Sequence, residues 1–443
     1  MNIPVSSPVS TADPLERETI RRVAWRLIPL LMLGYFGAYL DRVNVGFAAL
    51  TMNKQLGFSS AVFGFGAGLF FIGYFLAEIP SNLILNKIGA RRWLARILIT
   101  WGIISGLTAF VWNDWSFYTI RVLLGLAEAG FYPGVVLYLT WWFPSHYRTR
   151  MMCLFQTAST LSSCIGPPIS AHLMNLDGLI GLMGWQWLFL LEALPPIIMS
   201  FVIWGLLTDR PHQAKWLRPE QRDWLTQRLD AEKAQRESIR RYSLGQALTS
   251  PKVLLLTLAY VCQTTAGYGA LMFMPLIVRG MGVSQLNTGW LTAIPYLCAC
   301  VAMNVWGWHS DKTGERTWHV ASACLLCSAG FGACILIGGG HPVLLLVALS
   351  FGVMGRESIS PTFWALPSAL LTGTAAAGGI AMINSIGNLG GFFGPWIFGL
   401  VKDASGSNNI ALLVLAVAPL ISVVALVVVG HDRRLERVPP RPA

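Results

Sequence analysis

The sequence predicts an all-α membrane protein with twelve transmembrane helices in two six-helix halves, and three observations support this fold class. Hydrophobic residues make up 54% of the 443 residues and charged residues only 12%, a composition that excludes an ordinary soluble enzyme. Apolar segments long enough to cross a bilayer recur along the whole chain. A short basic turn occurs twice, once in each half, as expected for duplicated halves.

The predicted spans each have roughly the 20 residues that a helix needs to cross the hydrocarbon core. They cover 27–50, 61–85, 93–112, 115–141, 150–175, 185–208, 252–278, 286–308, 318–338, 342–365, 375–400 and 408–430. No cleavable signal peptide is predicted, because the chain before the first span is polar and charged. The resulting segments are a cytoplasmic N-tail (1–26), an N-terminal half (27–208), a cytoplasmic linker (209–250), a C-terminal half (251–430) and a cytoplasmic C-tail (431–443).

Basic residues predict the orientation of these spans. Of 32 lysines and arginines, only Lys54, Arg279 and Lys402 fall in loops on the side away from the N-terminus. The positive-inside rule therefore predicts an inner (plasma) membrane protein with both termini in the cytoplasm. The net charge of +11 follows from this topology, so no nucleic-acid partner is predicted.

The linker is hydrophilic and contains an amphipathic segment at 219–233. Trp224, Leu225 and Leu229 form the apolar edge of this segment. We expect it to lie at the cytoplasmic membrane surface and to bind anionic lipid headgroups through its arginines. A single copy of the chain is expected to be functional.

The eight cysteines all lie in apolar spans, where cysteine acts as a small packing residue. Cys324 and Cys327 have the spacing of half a zinc knuckle, but no second Cys or His pair accompanies them. No nucleophile elbow or metal constellation is apparent either. The sequence therefore predicts no metal, no cofactor and no enzyme activity.

Two predicted spans carry charged residues at membrane depth. Asp41 and Arg42 lie in the first span, and Arg121 and Glu128 lie about two helical turns apart on one face of the fourth. A charge at this depth is costly unless it faces a partner or a wet cavity. These residues therefore predict a cavity with an anion path coupled to protons. The alternative is a buried ion pair that only holds helices together.

Other polar residues of the spans are candidates for the same cavity. Tyr39 precedes Arg42 by about one turn. Gln263 lies in a polar part of the seventh span, and Asn384 and Asn388 lie one turn apart in the eleventh. For each of them the alternative is a packing role, as an aromatic side chain bonded to the backbone or as an amide clamp between helices.

Arg356 and Glu357 form a third charged pair, about 20 Å down the tenth span from Pro342. Arg356 either pairs with a neighbouring acid or Glu357, or faces the cavity opposite Arg42 and binds a second anionic or polar group of the substrate. Two cations on opposite walls would favour a dicarboxylate, or an acid with a distal polar group.

The repeated turn reads Asn86-Lys87-Ile-Gly-Ala-Arg91 in the first half and Asp311-Lys-Thr-Gly-Glu-Arg316 in the second. A carboxylate beside an arginine at such a turn caps a neighbouring helix end and forms a network that breaks when the halves rock. The turn resembles the signature loop of the major facilitator superfamily. We therefore expect Lys87, Arg91, Asp311 and Arg316 to act as a conformational latch.

Longer motifs also resemble those of the anion:cation symporter family within that superfamily, and the resemblance covers nearly the whole chain. The motifs are Arg121-x3-Gly125-x2-Glu128, the stretch from Gly184 to Pro195, Asp209-Arg-Pro, and the stretch from Phe363 to Pro395. That family comprises proton-coupled importers of organic anions such as tartrate, sugar acids and aromatic acids.

The resemblance implies a role for several individual residues. Asp41 and Glu128 match acids that carry coupling protons, Arg42 matches the cation that binds a carboxylate, and Arg121 matches the gate or relay cation. Tyr39 and Tyr74 match tyrosines that contact substrate. Trp364 is placed at the ligand by the resemblance, whereas its position near a helix end is equally typical of an interface anchor.

The function predicted from these observations is that of a proton-coupled symporter importing a small organic anion by alternating access. A drug/proton antiporter is one alternative, disfavoured by cations placed for anionic cargo. A transporter-like membrane sensor is another, disfavoured because the soluble parts contain no recognisable output domain.

Overall fold

The computed structural model describes residues 14–237, 250–364, 366–367 and 373–430. The predicted C-tail, the first part of the N-tail and the end of the linker lie outside these residues. The described part of the chain is helical, with short turns between the helices. This confirms the predicted all-α fold class.

Eight helices build the N-terminal half. They are α1 (Pro14–Leu56), α2 (Ser60–Ile88), α3 (Ala90–Leu107), α4 (Asp114–Glu128), α5 (Phe131–Trp142), α6 (Ser145–Leu173), α7 (Gly184–Glu192) and α8 (Leu194–Leu206). Two predicted spans are broken: the fourth consists of α4 and α5, and the sixth of α7 and α8. The break in the fourth span lies at Gly130, which has φ +90° and whose added Cβ would lie 2.1 Å from Ser81 Oγ. Glycine is therefore required where this span bends against α2.

The linker contributes one described helix and the C-terminal half seven. They are α9 (Pro219–Glu237), α10 (Pro251–Arg279), α11 (Gln285–Thr313), α12 (Thr317–Ile337), α13 (Pro342–Phe363), α14 (Gly373–Gly387), α15 (Gly390–Ser405) and α16 (Asn408–Val429). Within the described ranges, 10 helical segments are long and apolar enough to cross a membrane. The other two predicted spans are α6 and the α14–α15 pair, which are helical but richer in polar residues and glycine.

The first helix begins earlier than the predicted span, at Pro14 rather than residue 27. Ile20 and Val23 are buried, and Glu18 forms an ion pair with Arg218 just before α9. Leu225 on the apolar edge of α9 is also fully buried. The start of α1 and the linker helix thus pack on each other, which orders a segment that looks like a tail in the sequence.

The repeated basic turns have the same backbone device in both halves. Gly89 ends α2 with φ +96°, and Gly314 ends α11 with φ +69°. Both values lie in the region that favours glycine, so each half reverses its chain at the same motif position. The end of the bundle that carries these turns and α9 is called the linker end below.

The two halves pack closely at the opposite end, which carries the turns at Gly57, Gly282 and Gly406. Gly64 on α2 and Gly399 on α15 each lie so close to the other helix that an added Cβ would be 2.1 Å from a backbone carbonyl oxygen. Small residues allow helix backbones to approach in this way.

Asp403 adds a polar lock at the same end. Its two carboxylate oxygens accept hydrogen bonds from the backbone N–H groups of Ser60 and Ala61, at 3.0 and 2.6 Å. These groups form the first turn of α2, where a carboxylate is favoured by unsatisfied N–H groups and by the helix dipole. The opposite end is therefore the closed end of the bundle.

Candidate functional site

The centre of the N-terminal half holds a buried ion pair. Arg42 Nη2 donates to Glu128 Oε1 at 2.5 Å, and the two residues are only 7% and 1% exposed. Glu128 is the last residue of α4, directly before the break at Gly130, so the bend in this span delivers its carboxylate to α1. Glu128 Oε2 and Arg42 Nε have no hydrogen-bond partner within the described ranges. The pair is therefore close but incompletely satisfied.

Aromatic rings enclose the guanidinium of Arg42. The rings of Tyr39, Phe70 and Tyr74 lie with their centroids 5.1, 5.5 and 5.8 Å from Arg42 Cζ. Arg42 Nη1 also donates to the hydroxyl of Tyr268 on α10 at 3.4 Å. Arg42 thus contacts both halves, and desolvated aromatic faces favour its positive charge.

Asp41 points away from Arg42, into the N-terminal half. Its carboxylate accepts hydrogen bonds from Ser105 Oγ at 2.6 Å, from Asn44 Nδ2 at 2.9 Å and from Trp101 Nε1. Ser105 and Trp101 lie on α3, so Asp41 ties α1 to α3. Three donors stabilise this buried carboxylate, for which the described part of the chain provides no direct cation partner.

Arg121 is almost fully buried and does not pair with the acid on its own helix face. It donates to the carbonyl oxygen of Ala67 at 3.2 Å, and its Cζ lies 5.2 Å from the centroid of Phe70. Among the residues that the structure describes, none forms a hydrogen bond with Arg121 Nε. Glu128 bonds Arg42 instead, a pairing between α1 and α4 that residue spacing within one helix does not indicate.

The wall formed by the C-terminal half carries Arg356 and Glu357. Arg356 Nη1 lies 3.7 Å from Glu357 Oε1, and the side chains are 19% and 31% exposed. Arg356 packs against α10 at Gly267, where an added Cβ would lie 2.1 Å from its Nε. Arg356 contacts Glu357 and also lines the space between the halves. Its binding of a second substrate group remains a prediction.

That space is the central cavity, which encloses about 50 Å³. It is lined by Tyr39, Ser159, Thr160, Ser163, Gly267, Tyr268, Leu271, Tyr296, Arg356 and Glu357. A water needs roughly 10–15 Å³ measured in this way, so the cavity has room for a few waters or a small polar group. Its lining is rich in hydroxyls and carries one described ion pair.

Several of these residues were not predicted. The hydroxyls of Ser159, Thr160 and Ser163 lie on one face of α6, and Tyr268 and Tyr296 come from α10 and α11. The run of serines and threonines in the fifth span is a usable signal, because such a run is costly against lipid. Tyr268 belongs to the polar part of the seventh span, which favours a cavity-facing position, whereas Tyr296 carries no comparable signal in the sequence.

Four predicted ligand residues do not line the cavity, namely Gln263, Trp364, Asn384 and Asn388. Gln263 donates to Ser422 on α16 at 2.9 Å and does not line the cavity. Trp364 stacks edge-on against Tyr260, with centroids 4.9 Å apart. Asn388 lies in the turn between α14 and α15.

Asn384 belongs to a contact between the two halves on the linker side of the cavity. Asn384 Nδ2 donates to Glu78 Oε1 at 3.3 Å, and Ser385 Oγ donates to Glu78 Oε2 at 3.4 Å. Glu78 is 6% exposed and couples the halves through hydrogen bonds, as Asp403 and Arg42 also do. This matches an amide clamp between helices, the alternative considered for Asn384.

The hydrogen bonds described for the repeated turns join residues of the same half. Asp209 Oδ1 accepts a hydrogen bond from the backbone N–H of Arg91 at 2.8 Å, so Asp209 caps the start of α3. In the repeated motif, Asn86 occupies the position that corresponds to Asp311. Arg316 Nη1 donates to Ser310 Oγ at 3.1 Å. Lys87 is exposed, and the side chain of Asp311 lies outside the described residues. The latch role remains a prediction.

In the part of the chain that the structure describes, no group of three or more His, Cys, Asp or Glu residues is arranged to hold a metal ion. The cysteines are free thiols, four of them buried among helices. The sulfurs of Cys164 and Cys300 lie 3.6 Å apart between α6 and α11.

Two helical halves around a polar, charged cavity, packed tightly at one end, are the architecture of a secondary transporter. The sequence profile of the Major Facilitator Superfamily matches residues 31–395 and 256–443. The chain belongs to this superfamily, and it is a multi-pass membrane transporter with a small-molecule substrate rather than an enzyme. The resemblance to the anion:cation symporter type is confirmed.

Curated relatives cover almost the whole chain. A protein of Agrobacterium vitis named "Putative tartrate transporter" is 49% identical over 420 residues, which are 95% of this chain and 93% of the relative. A quinolone resistance transporter of Acinetobacter baumannii is 39% identical over 94% of this chain and 95% of the relative. The partially occluded, inward-open structure of the xylose transporter XylE from E. coli shares the fold, with a TM-score of 0.72, 15% identity, and coverage of 91% and 97%.

Proposed function

We propose that the protein is a proton-coupled symporter that imports a small organic anion, a carboxylate, across the inner membrane by alternating access. The observation that carries the proposal is the buried Arg42–Glu128 ion pair beside the central cavity. Tyr39 and Tyr268 line the cavity and both contact Arg42, so the ion pair is one side chain away from a bound ligand.

The chemistry of the pair links anion binding to proton binding. A guanidinium can bind a carboxylate with two parallel N–H groups, but Glu128 already occupies one of them. A second carboxylate on Arg42 would leave excess negative charge at membrane depth, which is costly. Substrate therefore replaces Glu128 when Glu128 takes a proton, so that anion and proton enter the site together.

Asp41 is proposed as the second coupling acid. Its charge is stabilised by donors on α3 and by its own helix, so a shift of α1 against α3 would weaken that stabilisation and favour protonation. Arg121, buried between the two acids and the Phe70 ring, is proposed as the gate or relay cation. Tyr39 and Tyr74 form the aromatic wall around the bound carboxylate.

The remaining residues are assigned to other steps. Arg356 is proposed to bind a second polar or anionic group from the opposite wall. Gln263, Trp364, Asn384 and Asn388 would meet substrate only after the halves rearrange. The latch is proposed for Lys87, Arg91, Asp311 and Arg316 at the linker end, with both termini in the cytoplasm. Tight packing at the opposite end supports an inward-facing state.

The test is accumulation in proteoliposomes. Purified protein is reconstituted and supplied with labelled tartrate and a panel of sugar acids and aromatic acids, with acid outside. The wild type should concentrate at least one acid against its gradient. Asp41→Asn and Glu128→Gln should lose this accumulation but keep exchange of substrate between the two sides. Glu220→Gln is the matched control, because Glu220 is exposed on α9. Unchanged accumulation in both cavity variants would contradict the coupling assignment.

A second candidate is drug export in exchange for protons, favoured by the relative named as a quinolone resistance transporter. The same vesicles separate the two functions by direction. A symporter concentrates the anion on the side from which protons are not supplied, whereas an antiporter moves a quinolone toward the acidic side. Quinolone movement without any acid uptake would favour export.

A further inference from the structure

Glu357 is a carboxylate in the central cavity for which the proposed coupling scheme has no role. Its side chain is 31% exposed to the cavity, and its one described ion pair is the 3.7 Å contact with Arg356. The contact is much longer than the 2.5 Å pair between Arg42 and Glu128. Arg356 Nε is buried and has no hydrogen-bond partner among the described residues. The C-terminal wall thus holds an arginine that is incompletely satisfied and an acid that contacts it only at 3.7 Å.

The surroundings of this pair contain hydroxyls and thiols but no further described charge. The titratable groups facing it come from α1, α6, α10, α11 and α12, and they are Tyr39, Cys164, Tyr260, Tyr268, Tyr296, Cys300, Cys324 and Cys327. None of these residues is a cation, so Arg356 alone balances the charge of Glu357 among the described residues. Any anion that binds Arg356 removes that balance.

We infer that Glu357 is a second exchangeable carboxylate, which takes up a proton when the far carboxylate of a dicarboxylic acid replaces it on Arg356. This inference rests on the proposed function and names its substrate class. One carboxylate of the substrate replaces Glu128 on Arg42, and the other replaces Glu357 on Arg356. Each replacement leaves one glutamate without a cation at membrane depth, where the protonated form is favoured. A dianion therefore enters with one proton more than a monocarboxylate does.

The geometry gives Gly267 a part in this arrangement. Because Gly267 has no side chain, Arg356 lies against α10 and its guanidinium stays beside Glu357 in the cavity. The hydroxyls of Ser159, Thr160 and Ser163 lie on another wall of the cavity. Ser159 and Ser163 donate to backbone carbonyls of α6, so their oxygens can accept from a hydroxyl of a small hydroxy acid, while the Thr160 hydroxyl can also donate.

The experiment is calorimetric titration of purified protein in two buffers with different ionisation enthalpies, which counts the protons taken up on binding. Wild-type protein is titrated near neutral pH with tartrate and with its monoamide, which has the same size and one carboxylate less. Uptake of one more proton with tartrate is expected. Equal uptake with both ligands would overturn the inference without any variant.

The variant arm uses Glu357→Gln, with Glu220→Gln as the control. Glu357→Gln should reduce the uptake with tartrate by one proton and leave the uptake with the monoamide unchanged. Uptake that stays at the wild-type value for tartrate would overturn the assignment to Glu357. If the wild type takes up no proton with either ligand, the proposed coupling itself fails, which is a different result from equal but nonzero uptake.

Discussion

Each half of the molecule holds an arginine paired with a glutamate at or beside the central cavity, but the two pairs are built in opposite ways. Arg42 and Glu128 come from different helices, lie 2.5 Å apart and are buried under aromatic rings. Arg356 and Glu357 are neighbours on one helix, lie 3.7 Å apart and are partly open to the cavity. The first pair is thus part of the packed interior of its half, whereas the second lies partly open at the surface of the cavity.

This difference separates coupling from selectivity. A deeply buried pair changes partner only when its charges change, so the Arg42–Glu128 pair is suited to a step that every substrate shares. A looser pair at the cavity surface can be rearranged by the ligand, so Arg356 and Glu357 are suited to distinguishing one substrate from another. Each prediction below changes a residue in or beside one of the two pairs.

The largest effect is expected from removing one partner of the buried pair. Glu128→Ala leaves Arg42 buried without its acid, and breaking such a pair costs about 3–5 kcal/mol. Glu357→Ala breaks a partly exposed pair, for which about 0.2–1 kcal/mol is typical. Thermal unfolding of the two detergent-purified variants measures the difference.

A double variant checks the cause. Arg42→Met combined with Glu128→Ala removes both charges and should recover much of the stability lost in Glu128→Ala alone. A double variant as unstable as the single one would mean that Glu128 matters for packing rather than for its charge.

Arg42→Lys should produce the largest loss of affinity. Lysine keeps the charge but cannot form two parallel hydrogen bonds to a carboxylate, so affinity should fall about tenfold or more for mono- and dicarboxylates alike. Ligand titration of the folded variant tests this. Unchanged affinity would remove Arg42 from the binding site.

Arg356→Gln should have a selective effect, confined to one class of ligand. Losing one charged hydrogen-bond partner costs about 1.5–3 kcal/mol, which is roughly tenfold to a hundredfold in affinity, but only for ligands that reach the second wall. A competition panel of di- and monocarboxylates of similar size measures this selectivity. An equal loss for both classes, with lower thermal stability, would favour a purely structural Arg356–Glu357 pair.

The smallest effect is expected from Gly267→Ala. The new Cβ would lie 2.1 Å from Arg356 Nε, so the flexible guanidinium must move away from α10. Dicarboxylate affinity should fall by a few-fold, about 1 kcal/mol or less, while monocarboxylate affinity stays the same. Gly332→Ala is the matched control, because an added Cβ there meets no atom within 4 Å. Equal effects of the two substitutions would show that the packing at Gly267 does not position Arg356.

The sequence by itself determined the architecture. Membrane-length apolar runs, the distribution of basic residues and the repeated turn with Gly89 and Gly314 are local features, and each acts through short-range physics: hydrocarbon thickness, insertion orientation and backbone φ. Charged residues at membrane depth are also recognisable in the sequence, because the free-energy cost of burying them makes them rare. Asp41, Arg42, Arg121, Glu128 and Arg356 were therefore all predictable as residues of the interior.

Only the tertiary structure decided which of these residues meet. Glu128 pairs with Arg42 rather than Arg121 because the break at Gly130 turns the end of α4 toward α1. Gln263 bonds Ser422 and Asn384 bonds Glu78, because the rotation of each helix about its axis is set by packing against its neighbours. Spacing along a helix fixes which side chains share a face, but the element that covers that face comes from elsewhere in the chain. Partners such as Tyr268 for Arg42 lie hundreds of residues away and exist only once the two halves have packed together.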